Sequence, residues 1–194
     1  FNIYISGIDV SGDISTNSRS DVNIIMTLNP ETKKILLTTT PRDYYVQLPG
    51  ISGESRDKLT HAGIYGVDVS MSTLESLYGI DITYYARVNF TSLITIVDAL
   101  GGIDVQSEYA FEAGGYQFVQ GDNHLNGEQA LAFSRERYSF EDGDNQRGRN
   151  QEAVLTAILR KTMSPAILGN ADQILAGVSQ SVQTNKSREE IGEF

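Results

Sequence analysis

The chain has 194 residues, 40% hydrophobic and 21% charged, with no cysteine and a net charge of −10 at pH 7. That length supports one well-buried core, so one domain is the simplest reading, and the acidic balance argues against the basic stripe of a nucleic-acid surface. Disulfides, thiolate metal sites and cysteine nucleophiles are excluded, and no run approaches the roughly 20 apolar residues of a membrane span.

The chain opens on a strand at 2–8 that runs into Gly7-Ile8-Asp9. A Ser/Gly/Asp/Asn loop follows at 10–20. Residues 21–29 and 34–40 read as strands joined by the turn Asn29-Pro30-Glu31-Thr32, a hairpin closed by Pro41-Arg42-Asp43. A short strand is predicted at 44–48 and a loop at 51–56. Helices are predicted at 58–65 and 67–78, the second with Val69, Met71, Leu74, Leu77 and Tyr78 on one broad face and Gly79 as its stop. Residues 82–88 return to strand. A helix at 90–100, apolar at Leu93, Ile94, Val97 and Leu100, ends at Gly101-Gly102. Residues 103–106 form a short strand. The segment 112–123 reads as a loop holding one short strand at 116–119. Helices follow at 126–133, at 146–163 and at 165–182, the last broken near Gly169. Strands interleaved with helices, the first strands pairing locally, predict a central mixed sheet flanked by helices, an α/β or α+β fold. Ser187 and Glu190 have the spacing of a capping box at a further helix start. Both ends read as cut from a longer protein.

Charge collects at four places. Asp9 follows the first strand, Arg19-Ser20-Asp21 precedes the second, and Pro41-Arg42-Asp43 follows the third. The run 134–151 holds Arg135, Arg137, Arg147 and Arg149 within fifteen residues of an otherwise acidic chain. If the second strand runs antiparallel to its neighbours, Asp9, Arg19, Asp21 and Arg42 converge on one rim of the sheet. Ligands of open sheets commonly bind beyond strand ends. Asp9 and Asp21 are hard oxygen ligands suited to Mg²⁺, which takes one or two carboxylates plus phosphate oxygens. Arginine's rigid fork suits the remaining phosphate charge. Such a rim favours phosphoryl transfer, where catalysis is positioning and electrostatics. Singly, each residue has an ordinary explanation: an Asp beside a strand is usually a turn residue, and Arg135 has Asp144 as a ready ion-pair partner. The functional reading rests on the coincidence of all four places.

Other chemistries fit poorly. His61 and His124 stand in unrelated contexts, and the chain lacks G-x-S-x-G, G-x-x-x-x-G-K-[ST] and H-E-x-x-H. Asp142-Gly143-Asp144-Asn145 lacks the spacing and terminal Glu of a calcium loop.

At these residues the chain resembles the LytR-CpsA-Psr family, in wording nearest the streptococcal capsule-associated type. The matching elements, in family order, are Gly7-Ile8-Asp9, Arg19-Ser20-Asp21, Thr40-Pro41-Arg42-Asp43, Asp57-Lys58 with His61-Ala62, 99–105 (ALGGIDV), 125–131 (LNGEQAL), Arg135-x-Arg137 and Asp144-x-x-Arg147-x-x-x-Gln151. The resemblance implies a membrane-anchored enzyme on the outer face of a Gram-positive cell, of which residues 1–194 are the catalytic domain, with the anchor in a missing N-terminal segment. It implies transfer of a glycan phosphate, capsular polysaccharide foremost, from polyprenyl pyrophosphate to peptidoglycan, with the lipid tail in an apolar tunnel and no nucleic-acid partner. By resemblance Asp9 and Asp21 hold Mg²⁺, and Arg19, Arg42, Arg135, Arg137, Arg147 and Gln151 contact the pyrophosphate; Asp9, Asp21, Arg42 and Arg147 carry the catalysis. The alternatives are a pyrophosphatase, in which water replaces the acceptor, and a non-catalytic polyprenyl-pyrophosphate-binding regulator. Many relatives carry Arg three residues after Arg147, where this chain has Asn150; Arg149 is the neighbouring candidate to replace it.

Overall fold

A computed structural model describes residues 1–10, 13–169 and 171–186. The capping box read at Ser187 and Glu190 lies outside the described residues. In chain order the elements are β1 (Asn2–Ile8), β2 (Val22–Asn29), β3 (Lys34–Thr40), β4 (Tyr45–Val46), β5 (Asp57–Lys58), α1 (Leu59–Ala62) with a 3₁₀ turn at Gly63–Tyr65, and α2 (Val67–Tyr78). Then come β6 (Tyr84–Asn89), a 3₁₀ turn at Phe90–Ser92, α3 (Leu93–Ala99), β7 (Ile103–Ser107), β8 (Phe111–Ala113), β9 (Tyr116–Phe118) and β10 (Gly121–Leu125). The last are α4 (Gly127–Arg135), α5 (Gly143–Thr162), α6 (Pro165–Leu168), α7 (Ala171–Val178) and β11 (Val182–Thr184).

These elements form two compact units, one of residues 1–88 with 182–186 and one of residues 89–181. The first carries a five-stranded sheet in the order β11-β6-β1-β2-β3. The sheet is mixed, and the α+β class is as the sequence predicts. β2 runs antiparallel to β1, with Tyr4 opposite Ile25 and Gly7 opposite Val22. β3 runs antiparallel to β2, with Asn23 opposite Thr40. The β2–β3 turn is held by Asn29, whose side-chain oxygen accepts from the backbone N–H groups of Glu31 and Thr32 at 3.0 and 3.1 Å. Tyr4 and Ile25 pack with Leu48, Leu59, Leu74 and Ile82 into a buried core that joins the sheet to α1 and α2. Truncating Leu74, which is fully buried, to Ala would cost about 2–5 kcal/mol.

The second unit has its own core. β7 and β10 pair antiparallel, and Leu93, Val97, Ile103, Phe133, Val154 and Leu155 are buried. α4 starts at a full capping box: the Asn126 side chain accepts from Gln129 N–H, and the Gln129 side chain accepts from Asn126 N–H, both at 2.9 Å. Phe111, Phe118, Phe133 and Phe140 form an aromatic cluster with centroid spacings of 4.9–5.3 Å.

Three segments differ from expectation. Residues 112–123 belong to β8, β9 and β10 rather than to a loop with one strand. Gly114 (φ 59°) and Gly115 (φ 79°) form the two-residue turn between Ala113 and Tyr116, and both conformations suit the primed turns that close hairpins. The predicted helix at 165–182 stops at Val178, and Val182–Thr184 is a strand that pairs antiparallel with β6. The short strand at 44–48 is confined to Tyr45–Val46, paired with Asp57–Lys58.

Candidate functional site

In the first unit the antiparallel order β1–β2–β3 brings Asp9, Arg19, Asp21 and Arg42 to one rim. Asp21 N–H donates to the Gly7 carbonyl at 2.8 Å, fixing the start of β2 beside the end of β1. Arg42 Nη1 forms an ion pair with Asp21 Oδ1, both side chains mostly buried. Arg19 is exposed, and Asp9 is partly buried one residue past β1.

A buried polar network sets the loop that carries Arg19 and Asp21. Tyr4 and Ser6 alternate on one face of β1. The Tyr4 hydroxyl donates to Asn23 Oδ1 at 2.7 Å and lies 3.0 Å from Ser20 Oγ. Ser20 Oγ is also 2.7 Å from Ser6 Oγ and donates to the Val22 carbonyl at 3.1 Å. Asn23 Nδ2 donates back to the Ser20 carbonyl at 3.2 Å. Burial pushes the Tyr4 phenol above its ordinary pKa, its hydrogen-bonded neighbours opposing the shift. From the other side, Ser20 N–H donates to the Thr60 carbonyl at 3.2 Å, and Thr60 N–H donates to the Arg42 carbonyl at 2.8 Å. Gly63 lets this layer close up. A Cβ there would overlap the Ser18 carbonyl oxygen and stand 2.9 Å from Ser20 N.

Around Arg42 lies a second charged set. Lys58 Nζ is 2.7 Å from Asp43 Oδ1, and His61 Nδ1 is 2.8 Å from Asp57 Oδ1. Lys58 holds Asp43 below the usual carboxylate range. Asp57 is held low first by the Lys58 backbone N–H and then by His61. This His–Asp contact falls in the Asp57-Lys58-x-x-His61 motif; its i,i+4 spacing was the available signal.

In the second unit Arg135 is exposed as the last residue of α4, and Arg137 follows it in the connecting loop. Arg137 Nη2 donates to the Tyr138 hydroxyl at 2.6 Å and the guanidinium lies 4.7 Å from that ring's centroid; the hydroxyl contact holds its pKa above the usual value. Asp144, in the first turn of α5, stands 3.5 Å from Arg147 Nη2 and 3.8 Å from Arg137 Nη1. Asp144, Arg147 and Gln151 occupy positions i, i+3 and i+7, so they share a helix face, which continues into buried Val154, Leu155 and Ile158. Arg147 Nε and Gln151 Oε1 are buried and have no hydrogen-bond partner. Buried polar atoms without a partner cost stability. Arg147 Nε suits an anionic oxygen. A half-turn of the Gln151 amide presents Nε2 donors to the same kind of ligand.

Arg149 does not take the place of an arginine at 150. Asn150 is buried, and its Nδ2 donates to the Phe133 carbonyl at 3.2 Å. Arg149 turns away, to Gln146 Oε1 at 2.7 and 3.0 Å and Glu108 at 3.5 Å.

Among the described residues no three His, Cys, Asp or Glu side chains cluster as a metal cage. Mg²⁺ does not require one: Asp9 and Asp21 at one rim supply the one or two carboxylates it takes beside phosphate oxygens and water. The donor set fits. No helix among the described residues is long and apolar enough to cross a membrane.

The chain is 36% identical over 191 residues to the polyisoprenyl-teichoic acid–peptidoglycan teichoic acid transferase TagU of Bacillus mycoides, covering 98% of this chain and 62% of that protein. The TagU of Enterococcus faecalis is 36% identical over 193 residues, covering 98% and 63%. The chain thus spans a little over three-fifths of the length of these curated relatives. Among solved structures, B. subtilis TagV superposes with a TM-score of 0.83 at 32% identity, over 100% of this chain and 76% of that one. TagT bound to LI-WTA superposes with a TM-score of 0.72 at 30% identity, over 98% and 71%. The model of the LytR_cpsA_psr family matches residues 1–194, and the chain belongs to that family.

Proposed function

We propose that this chain is the catalytic domain of a Mg²⁺-dependent phosphotransferase that moves a glycan phosphate from polyprenyl pyrophosphate to peptidoglycan. It works at the outer face of the cell membrane, held there by a segment outside residues 1–194. The observation that carries this reading is the rim itself: antiparallel β1, β2 and β3 gather two carboxylates and two arginines, one of them ion-paired to Asp21. The relatives are named for teichoic acid transfer, which supports a glycopolymer donor. The wording of the motifs favours a capsular polysaccharide as that glycan.

Arg19, Arg42, Arg135, Arg137, Arg147 and Gln151 bind and orient the pyrophosphate, and the apolar tunnel implied by the family takes the lipid tail. Asp9 and Asp21 hold Mg²⁺, which when bound supplies positive charge to the phosphate oxygens. A peptidoglycan sugar hydroxyl attacks the glycan-linked phosphorus. The new O–P bond forms as the bridging P–O bond breaks, and polyprenyl phosphate leaves with the electron pair. A rim aspartate accepts the hydroxyl proton. The arginines stabilise the charge that grows on the leaving phosphate; losing one such preorganised donor costs about 10²–10³ in rate.

The test is transfer of a polyprenyl-pyrophosphate-linked glycan to peptidoglycan, with and without Mg²⁺, by wild type and by Arg42→Ala and Arg147→Ala. Transfer that needs Mg²⁺ and is abolished in both folded variants supports the assignment. Full activity in both variants refutes it. Release of polyprenyl phosphate without glycan transfer marks a pyrophosphatase, and tight binding without turnover marks a regulator. Parallel capsular and teichoic acid donors identify the glycan.

A further inference from the structure

We propose that a recess in the second unit, beside the start of α5, is a saccharide subsite. It has a volume of about 360 Å³, and Tyr109, Phe140, Glu141, Asp142, Gln146 and Arg149 line it. That volume lies within the range of small-ligand sites and suits one or two sugar rings. The Tyr109 and Phe140 rings stand 5.8 Å apart and tilted by 46°. Tyr109 is half exposed, so its apolar face is available to the C–H face of a sugar. Glu141 and Asp142 are exposed carboxylates that accept from hydroxyls. Arg149 supplies donors in the same recess.

The charge balance selects the ligand class. Arg149 is the one guanidinium among the lining residues, which include the carboxylates Glu141 and Asp142, and Glu108 stands 3.5 Å from its Nε. Three carboxylates disfavour a phosphate, and the polar lining disfavours a lipid tail. A neutral polyol with one apolar face meets both conditions.

The residue at 150 builds this site. Asn150 Nδ2 is held by the Phe133 carbonyl, and its Oδ1 accepts from Gln146 Nε2 at 3.0 Å. That contact turns Gln146 Oε1 outward, where Arg149 Nε and Nη2 grip it. Gln146 is almost wholly buried, so the relay is rigid. Neither this grip nor the Glu108 contact uses Arg149 Nη1, which carries two N–H donors. Asn150 therefore positions Arg149 for a ligand. Arg147 and Arg149 are two residues apart on α5, about 200° around the helix, so Arg149 faces away from Arg147 and Gln151. Granted the proposed function, a sugar of the donor glycan or of the peptidoglycan acceptor, away from the phosphate itself, is the group that would occupy the recess.

Binding would be measured with three probes: a soluble muropeptide carrying the peptidoglycan disaccharide, a soluble donor-glycan repeat, and polyprenyl pyrophosphate lacking a sugar. Tyr109→Ala and Arg149→Met, both at exposed positions, are each expected to weaken saccharide binding by about tenfold and to leave polyprenyl-pyrophosphate affinity unchanged. A response with the muropeptide assigns the recess to the acceptor; a response with the repeat assigns it to the donor. If wild type binds neither saccharide, or neither variant changes saccharide affinity, the subsite is refuted. If saccharide binding responds but wild type does not bind polyprenyl pyrophosphate, the subsite stands and the proposed function fails.

Discussion

Replacing Tyr4 by Phe isolates the network beneath the Asp21 rim. The ring stays, and only a fully buried hydroxyl is lost. Ser20 Oγ keeps its contacts with Ser6 and the Val22 carbonyl, whereas Asn23 Oδ1 loses the donor that stands 2.7 Å from it. One buried acceptor left unpaired costs about 1–3 kcal/mol. At about 2–4 °C per kcal/mol for a chain of this size, Tm should fall by about 2–12 °C. The effect on transfer should exceed the effect on stability, because Ser20 lies between Arg19 and Asp21, and a displacement near 1 Å at a reacting group can cost about 10²-fold. Thermal unfolding would be followed alongside transfer at a temperature where both proteins remain folded. Ser6→Ala, which removes the 2.7 Å contact to Ser20 Oγ and leaves the Tyr4–Asn23 bond in place, should give a smaller shift. An unchanged Tm together with full transfer in Tyr4→Phe would refute the claim that this network sets the rim.

Three further outcomes are expected. Gln151→Met keeps the volume and removes the unpaired Oε1, so Tm should hold or rise by a few degrees while polyprenyl-pyrophosphate affinity falls; a fall in Tm would show that the amide is paired in solution. Gly63→Ala forces a Cβ against the backbone of Ser18 and Ser20, and should destabilise by about 1–3 kcal/mol; an unchanged Tm would show that the loop gives way freely. Asp43 and Asp57 have folded pKa values below the usual carboxylate range, so their contribution to stability is complete above about pH 4 and is lost as pH falls through the lower folded values. Asp43→Asn should therefore flatten the acid limb of Tm against pH, and an identical limb would contradict the pairing with Lys58.

Much of the fold was legible where sequence neighbours pair. The β2–β3 hairpin carries its turn in Asn29-Pro30, and α2 carries its apolar face and its glycine stop. From strand order alone Asp9, Arg19, Asp21 and Arg42 could be placed on one rim, because two antiparallel pairings suffice to align their ends. What was missed depends on distant partners. Val182–Thr184 is three residues long and becomes a strand only by pairing with Val88, Arg87 and Ala86. Gly114-Gly115 was a hairpin signal hidden in a polar segment. The Tyr4–Ser20–Asn23 network is invisible without register, since a serine in a loop has no periodicity to betray its burial. Arg149 looked like a displaced phosphate ligand because sequence spacing shows that it is adjacent to position 150 but not that it faces Glu108.

The most direct measurement is a crystal structure of the chain grown with Mg²⁺ and polyprenyl pyrophosphate. The expected result is a metal at about 2.0–2.1 Å from carboxylate oxygens of Asp9 and Asp21, with phosphate oxygens on Arg42 and on Arg147 Nε. A pyrophosphate bound away from these side chains, or a metal held by other residues, would contradict it.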